Sequence, residues 1–162
     1  MRKFIISGYP GIGKTTLALK VANSLKGKIK ITGIITPEIR EGKNRIGFKV
    51  VDVYSNSEKV FASTSIKSNL KISKYFVDIK VFEDITLPAL NREADFYIID
   101  EIGKMEMFSE KFKEKIFDIL NKKEFLITVH RDFVNTYKNF GEFYWLTKEN
   151  RELIFNKIIS NF

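Results

Sequence analysis

Cysteine is absent from the 162-residue chain, and histidine occurs once, at His130. The first absence rules out disulfides and thiolate metal sites. The second leaves a single imidazole with no partner ligand, so it reads as a polar strand-end residue rather than a metal ligand. Long apolar runs are missing too. After Met1, Arg2 and Lys3, only Phe4, Ile5 and Ile6 precede Ser7, Gly8, Tyr9 and Pro10, well short of a secretory core, and no later stretch has the ~20 apolar residues of a membrane span. A cytoplasmic address with no membrane partner is the expectation. Internal repeats and low-complexity tracts are also lacking, so residues 1–162 are expected to form one domain, working as a monomer.

What is present begins with charge. Lys and Arg number 28 against 20 Asp and Glu, a formal net charge of +8, which favours polyanionic partners. No five basic residues adjoin, and lysines scattered among glutamates describe a solvated surface. Nucleic acid is not expected as a partner, because the aromatic residues do not interleave with the basic ones as stacking sites require.

Four short runs are continuously apolar rather than alternating: "FIIS" from Phe4, "FYIID" from Phe96, "FLITV" from Phe125 and "FYWL" from Phe143. Strands buried on both faces have this pattern. Between them lie helical spacings at Leu17, Val21 and Leu25, at Phe112, Ile116 and Leu120, and at Ile154, Ile158 and Phe162, each a single apolar stripe for one face of a sheet. Ser109 is placed to cap the second helix and Gly27 to end the first. The order predicts an α/β domain with a parallel sheet and right-handed crossovers. Residues 31–63 break the rhythm: "ITGIITPEI" reads as a strand, and "RIGFKVVDVYSNSEKVFAS" as two extended runs about a turn, hence an antiparallel hairpin appended at one edge. "VFEDITLPAL" has helical spacing at Phe82, Ile85 and Ala89, with Pro88 expected to kink or end the helix.

The segment "GYPGIGKTT", Gly8 to Thr16, follows the first strand directly. Gly8, Gly13, Lys14 and Thr15 fit G-x-x-x-x-G-K-[ST], and the spacing has a physical reason. A loop nearly free of side chains lets consecutive backbone N–H groups converge on phosphate oxygens, and the helix that follows adds its unbonded N–H groups and positive dipole end. Lys14 then brings a mobile charge to the β and γ phosphates, while the Thr15 hydroxyl can ligate Mg²⁺. Gly8, Tyr9, Pro10, Gly11, Ile12, Gly13, Lys14, Thr15 and Thr16 are therefore the candidate nucleotide-binding residues. A chance match is expected in roughly one such chain per hundred, fewer once the flanking strand and helix are required.

"FYIIDE" closes a buried strand with two carboxylates. Asp100 is placed to hold Mg²⁺ together with Thr15, and Glu101 to act as base for a water attacking the γ-phosphate, the alternative being a surface carboxylate at a loop start. In "IGKME", Lys104 either reaches the transferring phosphoryl group or is a solvated lysine or a structural ion pair with Glu106. In "TVHRD", Arg131 is the candidate charge-stabilising finger or else a surface residue. "TKENREL" is similar to the T-K-x-D signature of guanine-specific proteins, with Asn150 in place of the acid. It reads either as a base contact of poor selectivity or as a helix start capped by Thr147. The candidate catalytic set is thus Lys14, Glu101, Lys104 and Arg131, with metal ligands Thr15 and Asp100.

Taken together, "GYPGIGKTT", "GIITPEIREGKNRIGFKVV", "KYFVDIKVFEDITLPAL", "YIIDEIGKMEMFSEKF" and "TKENREL" resemble the small P-loop nucleoside-triphosphatases, the family that includes the cancer-related nucleoside-triphosphatase and its thermophilic relatives. The resemblance spans nearly the whole chain. It implies a three-layer P-loop NTPase fold with a RecA-like, mostly parallel sheet carrying the antiparallel β-hairpin, and slow Mg²⁺-dependent hydrolysis of nucleoside triphosphates. It assigns function to Lys14, Thr15, Asp100, Glu101 and Lys104. Arg40 and Arg45 also match, with either nucleotide or acidic neighbours as their partners, while Pro37 stands where many relatives have an acid. Two rivals remain: a nucleoside or small-molecule kinase, which lacks an Arg-rich lid here, and a nucleic-acid-associated ATPase.

Overall fold

The computed structural model describes residues 1–162. Its elements, in chain order, are β1 (Lys3–Ser7), α1 (Lys14–Leu25), β2 (Ile31–Ile35), β3 (Glu38–Glu41), β4 (Asn44–Asp52), β5 (Glu58–Ser63), β6 (Leu70–Ile72), β7 (Tyr75–Val77), α2 (Ile79–Asn91), β8 (Phe96–Ile102), α3 (Glu110–Lys122), β9 (Phe125–Val129), α4 (Val134–Tyr137), β10 (Glu142–Trp145) and α5 (Arg151–Ile159). All strands share one sheet in the order β10-β1-β9-β8-β2-β4-β5-β7-β6, with β3 paired to β4. From β10 to β2 the pairs are parallel. From β2 onward they are antiparallel.

The continuous apolar runs are explained by what covers each face. Phe4, Ile6, Phe96, Ile98 and Leu126 pack with Leu17, Ala18 and Val21 of α1 and Ile154 and Ile158 of α5. Their neighbours Ile5, Tyr97, Ile99, Phe125 and Ile127 face the other way, onto Phe82 and Leu90 of α2 and Phe112 and Ile116 of α3. Helices on both sides of one sheet make three layers, and a strand so enclosed has no position where a polar side chain is favoured. The apolar stripe foreseen for the last helix is shorter than its spacing suggested: α5 ends at Ile159, and Phe162 lies beyond it, edge-on to Phe96 with ring centroids 4.9 Å apart.

Helix ends follow side-chain chemistry. Ser109 Oγ accepts from the Phe112 N–H and donates to Glu83 Oε2 at 2.6 Å, capping α3 and tying it to α2. Gly27, with φ of 81°, follows the last turn of α1. Of the two outcomes expected at Pro88, ending the helix is excluded, since α2 runs past it to Asn91. A helix-interior proline costs about 3 kcal/mol, but Ala89 and Leu90 beyond it are both fully buried, and their burial holds the final turn in place.

The appended antiparallel part is larger than the single hairpin predicted. β4 and β5 form that hairpin, β3 adds to β4, and a second hairpin of β6 and β7 extends the edge. Its seam with the parallel half is fastened by Arg92, which donates to both carboxylate oxygens of Asp52 at 2.9 and 3.1 Å and to Thr32 Oγ1 at 2.7 Å. Burial pushes the Asp52 carboxyl up, yet the guanidinium and the Tyr54 and Ser55 amides outweigh it and hold the group below the usual carboxylate range. The clamp keeps the hairpins over the carboxyl ends of β1, β8 and β9. No helix is long and apolar enough to cross a membrane.

The contact between β2 and β8 is close enough to test. Gly33 pairs with Ile98 at a φ of 138°, and a Cβ there would stand 1.8 Å from the Ile98 carbonyl oxygen. Gly33→Ala is expected to destabilise the protein by at least ~3 kcal/mol, the range of backbone-strain and overpacking lesions. An unchanged urea midpoint would show that β2 can move away from β8.

Candidate functional site

The parallel strands all release their loops at one edge, so the turns after β1, β8 and β9 share a crevice, as ligand sites of open α/β sheets do. Residues 8–13 fill the turn between β1 and α1. Gly13 occupies the N-cap of α1 with φ of 109°, a conformation other residues rarely adopt, and no side chain caps the helix. Leu17 is the residue whose N–H returns to the Gly13 carbonyl, so the amides of the first helical turn are left directed outward. Pro10, Gly11, Gly13, Lys14, Thr15 and Thr16 line one side of a cleft of about 380 Å³.

Asp100 organises the floor. It is 1% exposed, and Oδ2 accepts from Thr15 Oγ1 at 2.8 Å and from the Thr36 N–H at 3.3 Å, while Oδ1 accepts from Thr128 Oγ1 at 2.6 Å. Thr36 Oγ1 also donates to the Asp100 carbonyl. Burial raises the carboxyl above its usual range, and the three side-chain and backbone donors oppose that rise. The β8–β9 register is irregular between Ile99 and Ile102, the stretch that carries both carboxylates, and such irregularities re-aim side chains beside functional sites. No three or more His, Asp or Glu side chains cluster into a cage for a metal. Thr15 and Asp100 instead offer two adjoining oxygens.

Glu101 points into the cleft, with Oε2 3.5 Å from Lys14 Nζ. Lys14 also donates to the Gly8 carbonyl at 3.1 Å, so the lysine side chain spans the loop. Burial pushes the Glu101 carboxyl up to about 7, against the lowering pull of Lys14 and, more weakly, Arg45, and with a further push from Asp100. Glu106 lies on the other side of Gly103: its Oε1 and that of Glu101 stand 2.9 and 3.1 Å from the point a Cβ on Gly103 would occupy. Glu106 is 5% exposed, and burial, reinforced by the Glu101 charge, raises it well above the usual carboxylate range.

The remaining candidates separate. Lys104 lines the cleft but pairs with Asp132 at 3.2 Å rather than with Glu106. Both partners are half exposed, so the pair itself is weak. His130 caps the turn after β9, its Nδ1 accepting from the Asp132 N–H, and burial lowers its pKa. Arg131 does not line the cleft. Its guanidinium sits 5.6 Å from the Tyr9 ring, which packs edge-on against Trp145. Ile12 gives its carbonyl to Arg151. Asn150 turns its amide inward, Oδ1 accepting from the Thr147 N–H and Nδ2 donating to the Trp145 carbonyl, while Thr147 Oγ1 accepts from the Asn150 N–H. Of the two hairpin arginines, Arg40 is bound to Glu38 at 2.8 Å, whereas Arg45 lines the cleft.

Thr36, Thr128, Glu106 and Tyr75 are the site residues that sequence reasoning did not single out. For the threonines a signal existed: each interrupts or ends an apolar run, where an unsatisfied hydroxyl is unfavourable. Nothing local marks Tyr75, which reaches the cleft through the second hairpin.

The chain is similar to known proteins over its full length. Residues 3–159 match the profile of the NTPase family. The nucleoside-triphosphatase THEP1 of Methanocaldococcus jannaschii is 42% identical, covering 98% of this chain and 95% of the relative. The crystal structure of THEP1 from Aquifex aeolicus superposes with a TM-score of 0.87 at 34% identity over 98% of both chains. The solution structure of a human cancer-related nucleoside triphosphatase gives 0.81 at 29% identity, covering 99% of this chain and 97% of that one.

Glu106 yields a stability test. A carboxyl whose folded pKa is raised contributes its full stability below its unfolded value and loses it as pH rises through the folded value. Glu106→Gln removes that loss, so the variant should melt above the wild type at about pH 9, with the gap closing towards about pH 4. Thermal melts across that range check it. A gap that widens in acid would reverse the sign of the shift.

Proposed function

The chain belongs to the NTPase family of small P-loop nucleoside-triphosphatases, and from that premise we propose that it hydrolyses nucleoside triphosphates to the diphosphate and phosphate, using Mg²⁺ and discriminating little among bases. The observation that carries the reading is the 2.8 Å hydrogen bond from Thr15 to Asp100, because it joins the two halves of a site whose chemistry is otherwise split between β1 and β8. A hydroxyl and a carboxylate are hard oxygen donors, and Mg²⁺ completes its octahedron with phosphate and water oxygens, so the pair fits that ion. Bound there, Mg²⁺ would offset the negative charge of the β and γ phosphates.

The chain's own residues do the rest. Outward amides of residues 13–16 hold the phosphates at the positive end of α1. Lys14 exchanges the Gly8 carbonyl and Glu101 for phosphate oxygens, which releases Glu101. The carboxylate then takes a proton from water as the water oxygen bonds to the γ-phosphorus and the bond to the bridging oxygen breaks, freeing the diphosphate. A base with a pKa of about 7 suits this task near neutrality. Lys104 from the cleft wall and Arg131 from its place against Tyr9 add positive potential that draws the anion in. Asn150 has both ends of its amide tied to the backbone of its own loop, which favours a structural role over reading a base. A monomer is the expected working form.

Three measurements follow. Lys14→Ala should abolish phosphate release. Glu101→Gln should bind ATP and lower kcat at least ~100-fold, in line with the loss of a general base; an unchanged kcat would remove Glu101 from that role. For the wild type, kcat/KM should climb as pH rises through about 7 and Glu101 ionises, and its values for ATP, GTP, CTP and UTP should agree within about tenfold.

A further inference from the structure

We infer that Arg45, delivered by β4 of the hairpin, is the group that neutralises charge on the γ-phosphoryl during hydrolysis, an arginine supplied by the same chain. The inference rests on the hydrolase reading above and names a catalytic residue within that site.

Direction comes first. In a loop of this kind the lysine and the following threonine serve the β and γ phosphates, and here Thr15 meets Asp100 and Lys14 meets Glu101. The γ end of a bound triphosphate therefore faces β8. The cleft that holds Lys14, Thr15 and Glu101 is also lined by Arg45, Phe48, Phe61 and Tyr75. The Arg45 charge already acts on the Glu101 carboxyl, which puts the arginine within electrostatic reach of the group that would activate the attacking water.

The arginine is also held in a reactive state. Arg2, Arg40 and Arg92 each grip a carboxylate, which no acid within 4.0 Å does for Arg45. Its Nε donates to Tyr75 Oη at 2.9 Å, and the same hydroxyl donates back to the Arg45 carbonyl at 3.1 Å. The guanidinium carbon stands 5.2 Å from the Phe48 ring and 5.7 Å from the Tyr75 ring, and Tyr75 is 3% exposed. With Nε engaged and two aromatic faces alongside, the terminal nitrogens remain as a fixed fork with no protein anion to bind. A planar fork matches phosphoryl oxygens as a lysine does not. Preorganised positive charge in a poorly solvated wall strengthens as charge develops on those oxygens, which is how such groups lower a barrier. Arg131, stacked outside on Tyr9, lacks this placement.

The test measures ATP turnover, ATP affinity and the affinity for ADP with aluminium fluoride, a mimic of the transferring phosphoryl, on wild type, Arg45→Ala, Arg45→Lys, Tyr75→Phe and Lys43→Ala. Expected are a kcat at least ~1000-fold lower in Arg45→Ala, the low end of what arginine fingers contribute, a KM within about threefold, and loss of the aluminium fluoride complex with ATP binding retained. Arg45→Lys should not restore turnover. Tyr75→Phe should lower kcat by about tenfold with KM unmoved, the mark of a positioning residue, and exposed Lys43→Ala should match the wild type. An Arg45→Ala kcat within threefold of wild type, or a loss of ATP binding equal to the loss of turnover, overturns the assignment. Absence of phosphate release from the wild type would instead overturn the hydrolase reading, so the two failures are distinguishable.

Discussion

Asp100 takes hydrogen bonds from Thr15 on α1, Thr36 after β2 and Thr128 on β9. These segments are far apart in sequence, and a buried carboxylate is tolerable only if donors surround it. The requirement acts on the fold as much as on the site. β9 must lie between β1 and β8 for Thr128 to reach Oδ1, and β2 must flank β8 for Thr36 to reach Oδ2. The same convergence sets the phosphate loop opposite an acid, which gives the cleft its chemistry.

Around that point the charges form a graded series. Burial raises Asp100, Glu101 and Glu106 above the usual carboxylate range, and the charge of Asp100 adds to the rise at Glu101, as the charges of Glu101 and Asp100 do at Glu106. Lys14 and Arg45 counter this from two sides. A protein whose surface is strongly basic therefore carries a compact acidic core at its site, poised to receive both an anion and a cation. Lys104 lines the cleft in a half-exposed pair with Asp132, which solvent weakens, while Arg131 lies outside the lining against Tyr9.

The antiparallel extension is a wall, and its attachment explains its placement. Arg92 binds Asp52 and Thr32 across the seam, Gly33 lets β2 and β8 approach, and Tyr75 reaches back from the second hairpin to clamp Arg45. Without the wall the phosphate loop would open directly to water on the γ side, and its charges would act through a solvent that screens them.

Much of this was legible in the residues. Continuous apolar runs identified β1, β8 and β9 as buried strands because enclosure by helices removes any polar face, whereas the run from Phe143 forms the edge strand β10, whose residues are only partly buried. The bare loop before Lys14 marked one wall of the cleft because backbone amides converge only where side chains are absent, and Ser109 announced its helix because a hydroxyl satisfies an otherwise unbonded amide. These are local effects, decided within a few residues. What the chain order could not convey depends on contacts between distant segments: the partner of Lys104, the outward stacking of Arg131, the run of α2 past Pro88 under the burial of Ala89 and Leu90, and the meeting of Arg45 with Tyr75. Propensity and spacing act along the chain, whereas these pairings arise only once the sheet has set which loops face one another across the cleft.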